Sequence, residues 1–522
     1  MWYAINHPMR QALMKRKKKQ RGLVLIQIDG LSRFHLKQAL KASRMPFLKK
    51  LLAKNNHRIH PLYSGVPSAT PVVQGELFYG VKQIVPAFGY RDHESNKTVR
   101  MYEPKAAAMI EKKLQRLGNG LLKGGSSYAD IFSGGSRQYH FCTISFGKDR
   151  LFKDIKLAKL PAVVSNYAKM AMKSGVLMGI ETVLAFVDFF RGILTGKNVF
   201  KELKFIASRI AVTILLRDLV KTATITDIYN GVPIIHLNFL GYDEHAHRRG
   251  PSSRFAAWTL NGIDAAVKEI WNAIRRSKTR QYDLWLYSDH GQEDTTSYYF
   301  ENDRSLHEAI TTVLTDNRPR KSRVDMSSDR KGIQSLRSSL LGGRFLQKIF
   351  VKLTHYLPEN GSPTITVMGP LGHIYLPEKP DPEETRRLGR MLVERAAIPL
   401  VMAAVDSGRA IAWNVSGEFL LPDQADEIIG FDHDYLEPVT VDLVRLCRHP
   451  DAGHFVISGW RFHKKPLSFP IERGAHGGPG RRETDAFALL PSNVVAGVAG
   501  VNQRNYLRIS DLREAVINFL EF

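Results

Sequence analysis

The chain has 522 residues, 43% of them hydrophobic and 24% charged, and its 75 Lys and Arg against 50 Asp and Glu give a formal charge of +25. That balance excludes a disordered or low-complexity chain, allows a large buried core, and favours anionic partners such as phosphate esters or an anionic membrane surface. Two cysteines, Cys142 and Cys447, exclude both a disulfide framework and a thiolate zinc site, so any metal must be held by oxygen and imidazole.

The first element follows a basic run, residues 15–21, that reads as solvated surface. Gly22-Leu-Val-Leu-Ile-Gln-Ile is a buried strand that delivers Asp29-Gly30, and no cleavable signal peptide precedes it, which suits a cytoplasmic protein or one peripheral on a membrane. Pro46 to Lys54 has helical spacing. Val66-Pro-Ser68-Ala-Thr70-Pro71 then offers two hydroxyls. A hydroxyl is a poor nucleophile unless a cation binds it, so either acquires chemistry only beside a metal; otherwise Thr70 is a turn residue. Of the aromatics that follow, Phe78, Tyr79, Phe88 and Tyr90, at least two belong to the core, and the others could stack a base or cover an apolar group. Two apolar runs come next. Residues 175–190 are interrupted by Glu181 and Asp188, and residues 205–220 by Arg209 and Arg217, both short of the roughly 20 apolar residues of a membrane span. They read as a buried helical hairpin, or as a basic face lying on a membrane.

Pro233 to Leu240 is a second strand, followed by Gly241-Tyr-Asp243-Glu-His-Ala-His247. An acid and an imidazole four residues apart share one helical face and suit zinc or manganese. Phe255 to Ser277 is an amphipathic helix with Leu260, Ile263, Val267, Ile270 and Ile274 on one side. Asp283 to Tyr287 is a third strand, running into Asp289-His290-Gly291. Neighbouring side chains on a strand point to opposite faces, so this pair can reach one metal only where the strand gives way to a loop. Residues 303–360 are polar and basic, with a run at 318–323, before strand character resumes at Thr364 to Leu376. Finally Arg473-Gly-Ala-His476-Gly-Gly-Pro-Gly480 sets an imidazole in a glycine-rich loop ahead of the strand-like Asp485 to Leu490. Taken alone, each motif has an ordinary reading as a surface pair, a cap or a turn.

Short apolar runs that end in chemistry-bearing residues, with helical segments between them, predict an α/β fold: a mostly parallel central sheet flanked by helices, binding ligands at the carboxyl ends of its strands. The expected divisions are core segments at residues 22–104, 231–302 and 469–522, a largely helical insertion at 105–230, and a loop-rich insertion with a smaller α+β accessory region at 303–468.

The order Asp29, Thr70, Asp243 with His247, Asp289 with His290, then His476 resembles the alkaline phosphatase superfamily, and most closely its type I phosphodiesterase and nucleotide pyrophosphatase branch. The resemblance implies an alkaline phosphatase-like fold and two divalent cations, zinc first, with manganese or iron as alternatives. Asp29, Thr70, Asp289 and His290 would surround one, and Asp243, His247 and His476 the other. It implies attack by Thr70 on phosphorus, a phospho-threonine intermediate and its hydrolysis by metal-activated water. The expected activity is hydrolysis of phosphodiester or phosphoanhydride bonds, with a phosphomonoesterase or a lipid head-group hydrolase or phosphotransferase as alternatives, and nucleic acid is not a favoured partner. One departure stands out: family members place a Pro two positions after the nucleophile and an Asn beyond it, whereas Pro71 follows Thr70 directly. That leaves Gln74 as a candidate substrate-binding donor and Ser68 as an alternative nucleophile.

Overall fold

Val24, Ile26 and Ile28 point one way and Leu23 and Leu25 the other, yet all five are fully buried, because the strand that carries them is covered on both faces. The computed structural model describes residues 20–54, 57–145, 211–315, 363–405, 408–494 and 504–521. Its main sheet has eight strands: β1 (Arg21–Ile28), β2 (His57–Tyr63), β3 (Ser126–Tyr128), β4 (Gln138–His140), β5 (Ile234–Phe239), β6 (Gln281–Tyr287), β7 (Asp485–Pro491) and β8 (Leu507–Arg508). They lie in the order β8-β2-β7-β6-β1-β5-β3-β4. Only β7 runs antiparallel, between β2 and β6; every other pairing is parallel. The mostly parallel, helix-flanked sheet expected from the sequence is the one observed.

One face is covered by α1 (Arg33–Lys41), α2 (Pro46–Lys54) and the long α5 (Arg254–Arg276), and the other by α3 (Thr70–Tyr79) with the helices Pro104–Leu117 and Ile509–Glu521. The stripe Leu260, Ile263, Val267, Ile270 and Ile274 of α5 is buried as its spacing requires. At roughly 2 kcal/mol per buried side chain it contributes on the order of 10 kcal/mol before entropy is counted.

One region differs from expectation. Residues 126–140, read as part of a helical insertion, instead supply β3 and β4 at one edge of the main sheet. Strands of three residues are too short to show a period-2 pattern. Residues 363–468 form the expected α+β accessory region, a six-stranded antiparallel sheet in the order Thr364–Met368, Leu371–Tyr375, Phe455–Ser458, Leu400–Ala404, Ala410–Asn414, Gly417–Leu421. The helix Leu436–Cys447 packs on one face of this sheet and Pro382–Glu394 on the other. The apolar run at 175–190, the start of the one at 205–220 and the basic runs at 15–19 and 318–323 fall outside the described residues, as does the hairpin or membrane face they would form. Among the described residues no helix is long and apolar enough to cross a membrane.

The accessory region is joined to the core by two buried histidines. His373 Nε2 donates to the Pro86 carbonyl (3.3 Å) while its Nδ1 accepts the Gly453 amide (3.3 Å), and His433 donates to Pro479 (3.0 Å) while accepting from the Tyr435 amide (3.0 Å). Each Nδ1 must therefore stay unprotonated, and burial pushes both groups down to about 4. A folded value below the unfolded one gives stability that is complete above about pH 6.5 and is lost as pH falls toward 4, on the order of 3 kcal/mol for each histidine. Urea denaturation across that window should show a smaller proton uptake on unfolding, by up to one, for His433→Gln than for the parent; equal slopes would contradict this linkage.

Candidate metal centre

The parallel strands carry the acids and imidazoles to one end of the sheet. Asp29 follows β1, Asp289 and His290 follow β6, and α4 (Gly241–Arg249), which begins directly after β5, presents Asp243 and His247 one turn apart. Thr70 opens α3, and His476 comes in on the loop before β7. All seven predicted positions line one centre.

Within it, Asp29, Asp289 and His290 offer ligand atoms lying within 4.8 Å of one another, and so do Asp243, His290 and His476. His290 Nε2 is 3.6 Å from Asp29 Oδ1, 3.4 Å from Asp289 Oδ2 and 3.4 Å from Thr70 Oγ1. Asp243 reaches His247 Nε2 through Oδ2 (3.3 Å) and His476 Nε2 through Oδ1 (3.9 Å). The His290 and His476 rings stack at 3.7 Å, with His247 5.0 Å from His476.

Each imidazole is oriented by a carbonyl behind it. Nδ1–H of His247 donates to Gly474 (3.0 Å), that of His290 to Gly291 (2.9 Å) and that of His476 to Ser68 (2.7 Å). Three Nε2 atoms are thereby turned toward the carboxylates, the arrangement by which outer hydrogen bonds prepare histidines for a cation. The buried Asp289 Oδ2 accepts no hydrogen bond. These residues fit a divalent cation with mixed oxygen and imidazole ligands.

The electrostatics agree. Burial, then the charges of Asp289 and Asp243, push the Asp29 carboxyl well above its usual range, and burial pushes Asp289 up to about 7. Burial likewise drives His290 well below, and His476 below, the ordinary imidazole value. Asp243 and His247 shift the other way: against burial, their mutual attraction holds the carboxyl low and the imidazole high, with Glu472 helping the latter from 3.5 Å. Without a cation, the raised Asp29 and Asp289 carboxyls and the His247 imidazole hold protons that a cation would displace.

Two glycines make the approach possible for different reasons. Gly30 has φ +69°, and a Cβ there would meet Asp243 Oδ1 at 2.4 Å. Gly291 does not adopt positive φ; a Cβ would collide with the Arg482 carbonyl at 2.0 Å, so close backbone approach is its reason.

Several contributors were not singled out from sequence. Asn238 Nδ2 donates to Asp29 Oδ2 (2.6 Å), Gln292 donates to Asp243 Oδ1, and Glu472 backs His247. Glu483 receives Ser68 Oγ (3.1 Å) and the Gly478 and Gly480 amides (2.8 Å each), tying the hydroxyl loop to the His476 loop. Ser68 also accepts the Gly477 amide (2.9 Å), so its hydroxyl faces that loop rather than the acids. Gln74 is fully buried, its amide bonded to Gln27, Asp130 and Ile131, and it does not line the cleft. These protein partners, not a phosphate, occupy its amide.

A cleft of about 1240 Å³, including its open mouth, leads to the centre. Thr70, Asp29, Asp243, His247 and His476 form its floor, and Phe88, Tyr102, Ile131, Phe141, Met368 and Leu371 are among its walls. Phe88 and Tyr102 stack at 6.4 Å, whereas Phe78, Tyr79 and Tyr90 are buried in the core.

Residues 204–387 match the family described as Type I phosphodiesterase / nucleotide pyrophosphatase, a span that holds Asp243, His247, Asp289 and His290. Among solved structures, phosphonoacetate hydrolase from Sinorhizobium meliloti 1021 in complex with phosphonoformate is 14% identical with a TM-score of 0.47, covering 96% of each chain. Murine ectonucleotide pyrophosphatase/phosphodiesterase 5, an inactive variant in complex with AMP, is 11% identical with a TM-score of 0.45, again over 96% of each chain. At these values the structural likeness does not bear on function. No curated protein matches the chain.

Proposed function

We propose that this chain, a member of the type I phosphodiesterase / nucleotide pyrophosphatase family, is a metal-dependent hydrolase of phosphodiester or phosphoanhydride bonds with Thr70 as its nucleophile. Phosphoric ester hydrolysis is the activity that the family match supports. The observation that carries the finer reading is the clustering of three oriented Nε2 atoms with the carboxyls of Asp29, Asp243 and Asp289, beside which the Thr70 hydroxyl stands 3.4 Å from His290 Nε2.

Asp29, Asp289 and His290, with Thr70, would hold one cation, and Asp243, His247 and His476 a second; zinc suits this set, and manganese or iron shares its ligand preferences. Bound cations would supply positive charge to the phosphoryl oxygens and lower the pKa of the Thr70 hydroxyl. The protein's own part is positional. Thr70 opens a ten-residue helix, so its oxygen sits at the positive end of the helix dipole, where developing negative charge costs least. An oxygen–phosphorus bond would form there as the bond to the leaving oxygen breaks, that oxygen taking up the proton lost by Thr70; water would then break the threonine–phosphorus bond, releasing a phosphomonoester and returning a proton to Thr70.

The apolar walls favour a second reading within the same chemistry, an ester whose alcohol is lipidic and whose enzyme meets an anionic membrane at its surface. Metal-reconstituted protein assayed on bis-p-nitrophenyl phosphate and p-nitrophenyl phosphate tests the main reading. Faster diester cleavage supports it, a monoester preference makes the protein a phosphomonoesterase, and binding of metal with no cleavage of either ester rejects it in favour of the lipid ester.

A further inference from the structure

Beneath the metal centre lies a polar layer that the proposed chemistry does not use. Gln27, His236 and Tyr287 stand on the neighbouring strands β1, β5 and β6, each two residues before a residue of the centre: Asp29, Asn238 and Asp289. The period-2 pleat sets Gln27 on the same side as Leu23 and Leu25, the side that α3 covers. Polar side chains inside an apolar strand face are costly to bury unless each finds partners.

These three close a ring with Gln74 and Asp130. Gln74 Nε2 donates to Gln27 Oε1 (3.0 Å) and to Asp130 Oδ1 (2.9 Å). His236 bridges from Asp130 Oδ2 at Nδ1 (2.8 Å) to the Tyr287 hydroxyl at Nε2 (2.9 Å), and that hydroxyl donates to Gln27 Oε1 (2.8 Å). The Ile131 amide donates to Gln74 Oε1 (2.8 Å) and Ser127 Oγ to Asp130 Oδ2 (2.6 Å). All five ring members are within 1% of complete burial. Meanwhile α3 has no side-chain cap, since Ala69 holds the N-cap position and Pro71 follows Thr70. Gln74, one turn beyond Thr70, is the polar link between this helix and the strands that carry the acids.

We propose that the ring positions Thr70 against Asp29 and Asp289, and that Gln74 is a positioning residue acting through the α3 N-terminus. The catalytic consequence rests on Thr70 being the nucleophile; the structural one does not. Gln74→Met keeps the volume and removes every hydrogen bond of the amide, leaving the Ile131 N–H and one Asp130 oxygen unpaired.

Two readouts separate the claims. In metal-free protein, amide hydrogen exchange over residues 66–75 should quicken at least about 10-fold in Gln74→Met while the accessory sheet is unchanged. In the metal-loaded enzyme, kcat should fall at least about 10-fold with KM within about threefold. Combining Gln74→Glu with Asp130→Asn exchanges donor for acceptor, and Gln27 Nε2, which has no partner, can turn to serve Glu at position 74. That pair should return both readouts to within about threefold of the parent. Unchanged exchange in Gln74→Met overturns the ring's role, and quickened exchange with unchanged kcat overturns positioning. If Gln74→Met does not fold, quickened exchange in the folded double variant overturns the proposal equally. Failure of the parent to hydrolyse any ester would instead reject the function proposed above, leaving the exchange result to decide the ring.

Discussion

Thr70→Ala should lower turnover of a cleaved phosphodiester by on the order of 10³-fold or more, because it deletes the attacking oxygen without deleting the site around it. The substitution is structurally mild. Alanine is the better helix former, the neighbouring Val72 and Val73 amides bond the Ala69 carbonyl rather than the threonine hydroxyl, and the lost contacts are confined to the 3.4 Å approach to His290 and the hydroxyl's interaction with Asp289. Metal content, read by elemental analysis, and thermal midpoint should therefore stay near the parent's, so that the loss is assignable to chemistry. Thr70→Ser restores an oxygen at the helix terminus and should retain activity well above that of Thr70→Ala. Turnover by Thr70→Ala within about 10-fold of the parent would remove Thr70 from the nucleophile role. It would not transfer the role to Ser68, whose hydroxyl is committed to Glu483 and Gly477.

The cluster was legible in the sequence because its acids and imidazoles follow local rules. A short apolar run ending in an acid marks a strand end, and i to i+4 spacing on a turn aligns Asp243 with His247. What surrounds the ligands obeys no such rule. Gln27, His236 and Tyr287 look like polar interruptions of apolar strands, and only the register of β1 with β5 and β6 shows that they face one another. Asp130 meets His236 across 106 residues, and Ser68 meets Glu483 across 415. Gln74 drew notice as a polar residue after the nucleophile, but helical spacing cannot tell a side chain aimed at substrate from one aimed at the strands below. The edge strands β3 and β4 failed for another reason: three residues hold too little pattern, so long-range pairing alone makes them strands.

The centre should bind a divalent cation with release of protons, and more weakly as pH falls. Asp289 is pushed up to about 7 and Asp29 well above the carboxyl range, while Asp243 keeps His247 protonated. Below about pH 7 a cation must displace the Asp289 proton as well as that of His247, so net release grows and apparent affinity drops. Titration calorimetry with zinc in buffers of different ionisation heat, at about pH 6 and about pH 8, reads this directly; release that is absent or larger at the higher pH would contradict the assignment. Asp243→Asn should then show the largest effect on binding. It removes the carboxylate that faces both His247 and His476, and with it the charge that holds His247 high, so zinc affinity should fall by at least about 100-fold and activity with it. The same substitution removes a negative charge that raises both Asp29 and Asp289, so these carboxyls move down and fewer protons should leave per cation bound. Weaker binding with smaller proton release is thus the joint signature of a carboxylate acting inside the metal centre. A residue that merely supported the fold would lower the thermal midpoint of the metal-free protein and leave the proton count of the folded fraction where it was.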